Sequence, residues 1–164
     1  MTDLLLRIQH TSFCMWVHNS PSVLAYPTIL FLHVVGMGLV VSISAGIDLR
    51  ILGFAPALPL APMGKFLRLV WIGLCINAVT GTIIAAADAV NKFTNPDFYI
   101  KLLLVALGVI TLRQIEIRVL RDPLVDNGPL PAKAKVLAFA SLIFWLGAML
   151  AGRLLAYVGP GSGT

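Results

Sequence analysis

The chain has 164 residues, 59% of them hydrophobic and only 12% charged, with a mean hydropathy of +0.93 and a net charge of +5. Soluble domains carry about 25% charged residues, and half that fraction leaves too little polar surface for a water-soluble fold. The basic excess does not point to nucleic acid either, because the Lys and Arg residues flank apolar runs, where they answer to membrane topology.

The composition and the apolar runs predict a single all-α integral membrane domain over residues 1–164, a four-transmembrane-helix bundle preceded by an amphipathic interfacial helix. Residues 3–18 form that first element, lying in the interface with Trp16 as its anchor. Asp3, Arg7 and His10 interrupt its apolar character and no small-residue cleavage site follows, so the segment is expected in the mature protein. His10, Cys14 and His18 stand at i, i+4 and i+8, with Met15 adjacent. On a continuous helix they share one face, a spacing at which His and Cys chelate copper or zinc. The competing reading is that the histidines fill an interfacial polar face.

About 20 apolar residues cross the hydrocarbon, and four segments qualify. The first span runs from about Ala25 to Ile47, entered at Pro27 and closed by Asp48-Leu49-Arg50. A loop rich in Pro and Ala follows, from Phe54 to Gly64. The second span covers about Leu67 to Val90, and the polar turn from Asn91 to Pro96 leads into the third, about 98–120. That span is apolar only to Leu112 and continues with Arg113, Glu116, Arg118 and Arg121 until Asp122-Pro123 stops it. The fourth covers about Val136 to Val158 and ends in Gly159-Pro160-Gly161. Cys14 and Cys75 are too few and too far apart in kind to read as a disulfide framework.

Orientation follows from the basic residues. The loops after spans one and three hold Arg50, Lys65, Arg68, Arg113, Arg118, Arg121, Lys133 and Lys135, eight in all, against Arg7, Lys92, Lys101 and Arg153 on the other side. Positive residues stay inside, so both termini are expected in the periplasm of a bacterial inner membrane. An internal echo accompanies this pattern. Ile47-Asp48-Leu49-Arg50-Ile51-Leu52 resembles Ile115-Glu116-Ile117-Arg118-Val119-Leu120, 68 residues on, as tandem helical hairpins about an axis along the membrane normal would. Two helix ends that independently chose charged residues give the same pattern. If the repeat holds, His33 and Lys101 are equivalent positions.

Ionisable and polar groups inside a membrane are costly, so each is a candidate site residue. His33 lies about 13 Å below the end of span one by helical rise, too deep to reach the headgroups. Lys101, Arg153 and Asp88 sit nearer that same surface, where snorkelling or membership of the loop also explains them. Gly73, Asn77, Gly81 and Ala85 make a small-residue face on span two, suited to close helix contact or to the approach of a flat cofactor. A neutral imidazole is a standard axial ligand of haem. Lys101 and Arg153 would meet the propionates, with Met149 or Lys101 as the ligand on the opposite face.

Ala25-Tyr26-Pro27, Leu32-His33-Val34-Val35-Gly36 and Asp48-Leu49-Arg50-Ile51-Leu52-Gly53 resemble the first helix of a family of small uncharacterised bacterial four-helix membrane proteins. Trp145-Leu146-Gly147 and Ala151-Gly152-Arg153-Leu154-Leu155-Ala156-Tyr157 are similar to that family's last helix. More distantly, Leu32-His33 and Asn95-Pro96-Asp97-Phe98-Tyr99-Ile100-Lys101-Leu102 resemble two four-helix groups, the membrane protoporphyrinogen oxidases that carry b-type haem and the copper-resistance D proteins. In the oxidases a first-helix histidine and a third-helix lysine are required, and they match His33 and Lys101. The charged and aromatic context around those two is largely absent here, so the resemblance implies a haem or redox site more than that reaction.

These readings converge on a haem b protein with a redox or electron-transfer role, either an oxidoreductase or an electron-transfer subunit. Two alternatives stand beside it. One is a non-catalytic membrane subunit, in a homo-oligomer or a larger complex, that binds lipid or pigment. The other handles copper through His10, Cys14, Met15 and His18. No hydrolase triad, nucleotide-binding loop or di-metal carboxylate motif is present in the sequence.

Overall fold

The computed structural model describes residues 2–122, 125–126 and 128–155, all of them in helices, turns and loops without a strand. The close of the fourth span beyond Leu155, with Tyr157 and Gly159-Pro160-Gly161, lies outside the described residues, as does Asn127. Four helical segments are long and apolar enough to cross a membrane, Tyr26–Leu52, Ala61–Ala87, Pro96–Leu120 and Ala132–Leu154. At 1.5 Å per residue the shortest is about 35 Å long, enough for a hydrocarbon core of about 30 Å. The protein is a multi-pass membrane protein built as a helical bundle.

Two short helices come first. α1 (Thr2–Gln9) and α2 (Ser12–Asn19) replace the single helix expected over residues 3–18. The break has a local cause: Thr11 is extended (φ −64°, ψ 145°) and its hydroxyl donates to the Ile8 carbonyl at 2.9 Å, which ends α1 before α2 begins. α1 rests on the later α5, where Val90 N–H donates to Gln9 Oε1.

α3 (Tyr26–Leu52) starts with Pro27 in its first turn, where the missing N–H costs nothing. It runs five residues beyond the expected Ile47 and ends at Gly53, whose φ of +107° places it in the left-handed region. There Gly53 N–H reaches the Arg50 carbonyl and Phe54 N–H the Leu49 carbonyl, satisfying the last turn. A 3₁₀ turn (Ala61–Phe66) leads into α4 (Leu67–Ala87), which stops three residues short of the expected Val90. At Asp88 the backbone leaves helical geometry and α5 (Ala89–Thr94) begins. α6 (Pro96–Ile115) is capped by Asn95, whose side chain accepts from Asp97 N–H at 2.9 Å, and it closes in a π-helical turn, Glu116–Leu120. α7 (Ala132–Leu154) starts four residues earlier than expected, directly after Pro131.

Because the spans alternate in direction, the loops after α3 and α6 share one end, here the basic end, and α1, α2 and α5 share the other. α3 packs along α4 and along α7, and α6 packs along α7, whereas α4 and α6 make no comparable contact. The order across the bundle is therefore α4–α3–α7–α6. A strict two-fold repeat would match the α3–α7 contact with an equal α6–α4 contact, so the two hairpins are not symmetrically docked. Between α4 and α6 runs a cleft, bridged at the basic end where the 3₁₀ turn meets the π turn. There a Cβ on Gly64 would lie 3.8 Å from Leu120.

The basic end is also tied loop to loop. Asp126 accepts from the backbone N–H of Leu60 at 2.7 Å and of Ala61 at 3.0 Å, and Arg50 donates through Nε to the Leu58 carbonyl. Those two amides, with the nearby Arg50 charge, hold the exposed Asp126 carboxyl below the ordinary aspartate range. Beneath the loops lies an apolar layer of Ile51, Leu60, Val119, Val125 and Ala134, all buried.

Candidate functional site

The helix that carries His33 is held against α4 by glycines. A Cβ on Gly36 would stand 2.8 Å from the Gly73 carbonyl oxygen, and one on Gly73 would stand 2.9 Å from the Gly36 carbonyl oxygen. The two backbones meet there, as small residues permit. One turn along, Asn77 Nδ2 donates to the His33 carbonyl at 2.9 Å, and Gly81 leaves room for the imidazole, since a Cβ there would lie 3.0 Å from His33 Cε1. Gly73, Asn77 and Gly81 on the small-residue face of α4 are thus occupied by α3 itself. They position His33 instead of offering a bare surface to a flat cofactor.

The His33 ring is fixed by one further contact, Nδ1 to Thr80 Oγ1 at 3.0 Å. The Thr80 hydroxyl owns a single proton, and its shortest contact, 2.6 Å, is to the Ile76 carbonyl. With that proton spent on Ile76, Thr80 Oγ1 accepts and His33 Nδ1–H donates. The proton of a neutral imidazole is then on Nδ1, and among the described residues Nε2 keeps its lone pair without a protein hydrogen bond. A histidine that donates one ring N–H to a fixed acceptor and keeps the other nitrogen bare has the arrangement of a metal-ligating imidazole.

Lys101 on α6 stands within electrostatic reach of His33 and beside Gly152 of α7, where a Cβ would lie 3.5 Å from Nζ. Among the described residues it has no acidic partner. Lys101 thus stands beside the Gly152 stretch of α7, at the same end of the bundle as His33. Arg153, the residue after Gly152, is exposed. Met149, 47% exposed on α7, is not gathered with them. Asp88 belongs to the α4–α5 connection, where it pairs with Lys92 at 3.5 Å and accepts from Asn91 at 2.8 Å.

As a donor set these residues fit one axial ligand of a haem through His33 Nε2, with Lys101 as the cation that a propionate needs. The N-terminal constellation fits less well. The break at Thr11 takes His10 off the helix of Cys14 and His18, and Cys14 is buried while both histidines are exposed. Among the described residues no three His, Cys, Asp or Glu side chains gather closely enough to hold a metal ion.

Two features escaped the sequence reading. At the basic end, between α4 and the π turn that follows α6, lies a groove of about 600 Å³ lined by Lys65, Arg68, Trp71, Ile72, Cys75 and Glu116. Glu116 is already paired there, with Arg113 at 2.6 Å and Arg121 at 3.1 Å. The second feature is Asp48, expected to close the first span and found instead inside the bundle with 0% exposure. Ser44 one turn before it and Ser141 on α7 are equally buried. A usable signal was in the sequence: Ser44 and Asp48, like Ser141 and Trp145, are spaced i, i+4 and so share a helix face.

No family model matches the chain, and neither a curated protein nor a solved structure matches it.

Proposed function

We propose that the protein binds a b-type haem in the membrane and serves a redox or electron-transfer role, with His33 as the axial ligand. The observation that supports this reading is the His33–Thr80 hydrogen bond, which leaves Nε2 bare while Lys101 lies within reach. When bound, the haem iron supplies one-electron chemistry. The chain's part is to hold the imidazole in one tautomer, to place a cation within electrostatic reach of it, and to keep both in a low-dielectric interior. The resemblance to the haem-carrying oxidases through His33 and Lys101 agrees with this reading.

An absorption spectrum of detergent-purified protein tests the proposal. A Soret band is expected. His33→Ala should abolish it while the protein still inserts, Thr80→Val should weaken haem retention, and Lys101→Met should weaken it or shift the band while Lys92→Met does neither. An unshifted band in His33→Ala removes His33 from the site.

One observation favours a second reading, a non-catalytic membrane subunit that binds lipid: the basic groove with an apolar wall. Colourless protein that keeps anionic phospholipid, and loses it in Lys65→Gln/Arg68→Gln, supports that reading. Colourless protein whose lipid is unchanged in the double variant supports neither.

The eight-to-four distribution of Lys and Arg orients the bundle, with the basic end cytoplasmic in a bacterial inner membrane and both termini periplasmic. A single cysteine placed at Phe93 should react with an impermeant thiol reagent in intact cells, and one placed at Gly128 should not. The reverse pattern inverts the topology.

A further inference from the structure

Asp48 has no counterpart in the haem reading. It lies on the face of α3 that packs against α7, fully buried, with Ser44 one turn earlier on α3 and Ser141 opposite on α7. The two helices run antiparallel, so Ser44 stands level with Trp145, one turn beyond Ser141. Ser141 stands close enough to the Asp48 carboxyl to act on it as a hydrogen-bonding side chain, and among the described residues no charged side chain pairs with it. That contact falls outside ordinary hydrogen-bond geometry: among the described residues, both Asp48 carboxyl oxygens, the hydroxyls of Ser44 and Ser141 and the indole N–H of Trp145 are buried without a partner. The hydroxyl of Thr111 on α6, also buried, is spent on its own helix at the Leu107 and Gly108 carbonyls.

Four oxygen atoms on three side chains, sealed from water, form an unusual inventory. Buried polar groups are otherwise almost always paired, and a bare carboxylate in this interior has nothing to compensate its charge. Toward the basic end the place is closed by Ile51, Val119 and Ala134, all buried. Calcium wants six to eight oxygen ligands and magnesium a full octahedron, more than this set provides. A proton suits it: in the acid form the carboxyl O–H donates to one serine hydroxyl, and its carbonyl oxygen accepts from the other.

We propose that Asp48, Ser44 and Ser141 form an occluded proton-binding site between α3 and α7. It does not depend on haem binding at His33, which lies on α3 about 22 Å away by helical rise. Protonation turns the carboxyl from an uncompensated anion into a donor and acceptor that links the two hairpins. Release of the proton requires the α3–α7 interface or the apolar layer below it to open.

Infrared spectroscopy of the full chain in phosphatidylcholine bilayers at neutral pH tests this. The wild-type protein should show the carbonyl stretch of a protonated carboxylic acid, and Asp48→Asn, which keeps shape and neutrality, should lose that band. Ser141→Ala should keep the band and shift it, because one hydrogen-bond partner is removed. If wild type and Asp48→Asn show the same spectrum in this region, Asp48 is ionised and the proposal fails. If sodium chloride, compared with choline chloride, converts the band to that of a carboxylate, the site takes a metal cation and the proposal fails as well.

Discussion

Replacing Gly36 by leucine is expected to separate α3 from α4 and to cost the bundle at least about 3 kcal/mol, the upper end of ordinary overpacking penalties. Even a single Cβ at this position would meet the Gly73 carbonyl oxygen at 2.8 Å and the Asn77 nitrogen at 3.2 Å. Both are backbone atoms of a helix and neither can turn aside. The helices must move apart, and the Asn77–His33 and Thr80–His33 bonds stretch with them. Gly38 supplies the control, since a Cβ there has nothing within 4 Å. Gly38→Leu should stay within about 0.5 kcal/mol of wild type, as surface substitutions generally do. Thermal unfolding in detergent, read by circular dichroism, compares the two. Equal midpoints for Gly36→Leu and Gly38→Leu would mean that the Gly36–Gly73 contact does not hold the hairpin.

Trp145 gives the second large effect. It is 2% exposed on α7, with its ring laid so closely on Gly108 of α6 that a Cβ there would touch ring carbon Cε2 at 2.9 Å. Between helices in a bilayer the transfer part of a truncation cost largely vanishes, because lipid tails are as apolar as the core. The cavity part remains. A void on the order of 150 Å³ at about 24 cal/mol per Å³ corresponds to roughly 3.6 kcal/mol before any collapse. Trp145→Ala is therefore expected to lose about 3 kcal/mol. Trp145→Phe should stay within about 1 kcal/mol, because it fills most of the space and removes an indole N–H that has no partner among the described residues, which itself costs about 1–3 kcal/mol to bury. If alanine and phenylalanine destabilise equally, the indole N–H has a partner and the packing account of Trp145 is wrong.

Both effects turn on pairs that no window of the sequence brings together, Gly36 with Gly73 and Trp145 with Gly108. What the sequence by itself determined is the membrane character of the chain and the existence and order of the four spans. Each span is a local property: a run of apolar residues long enough to cross hydrocarbon must satisfy its own backbone as a helix. His33 was legible for the same reason, as an ionisable group too deep to reach water. The ends were less so. The apolar run of α3 stops at Asp48 while the helix continues to Leu52, because burial against α7 and the Gly53 cap override the local polarity. The N-terminal helix breaks at Thr11 through a hydroxyl contact that no periodicity registers.

Only the tertiary structure decided what each inward group faces. Asp48 read as the close of the first span and is buried against α7, and Met149, a candidate ligand by depth alone, stands 47% exposed. Taken as a tandem repeat, the echo at 68 residues implied equivalent hairpins, yet α3 meets α7 while α6 and α4 make no comparable contact, and the basic groove lies on α4 and the π turn that follows α6. The physical reason is common to all three. Inside a bilayer every face of an apolar helix looks alike to the sequence, so no hydrophobic pattern says which side turns inward. The choice falls to small-residue contacts and scattered polar atoms, and their meaning depends on the helix opposite.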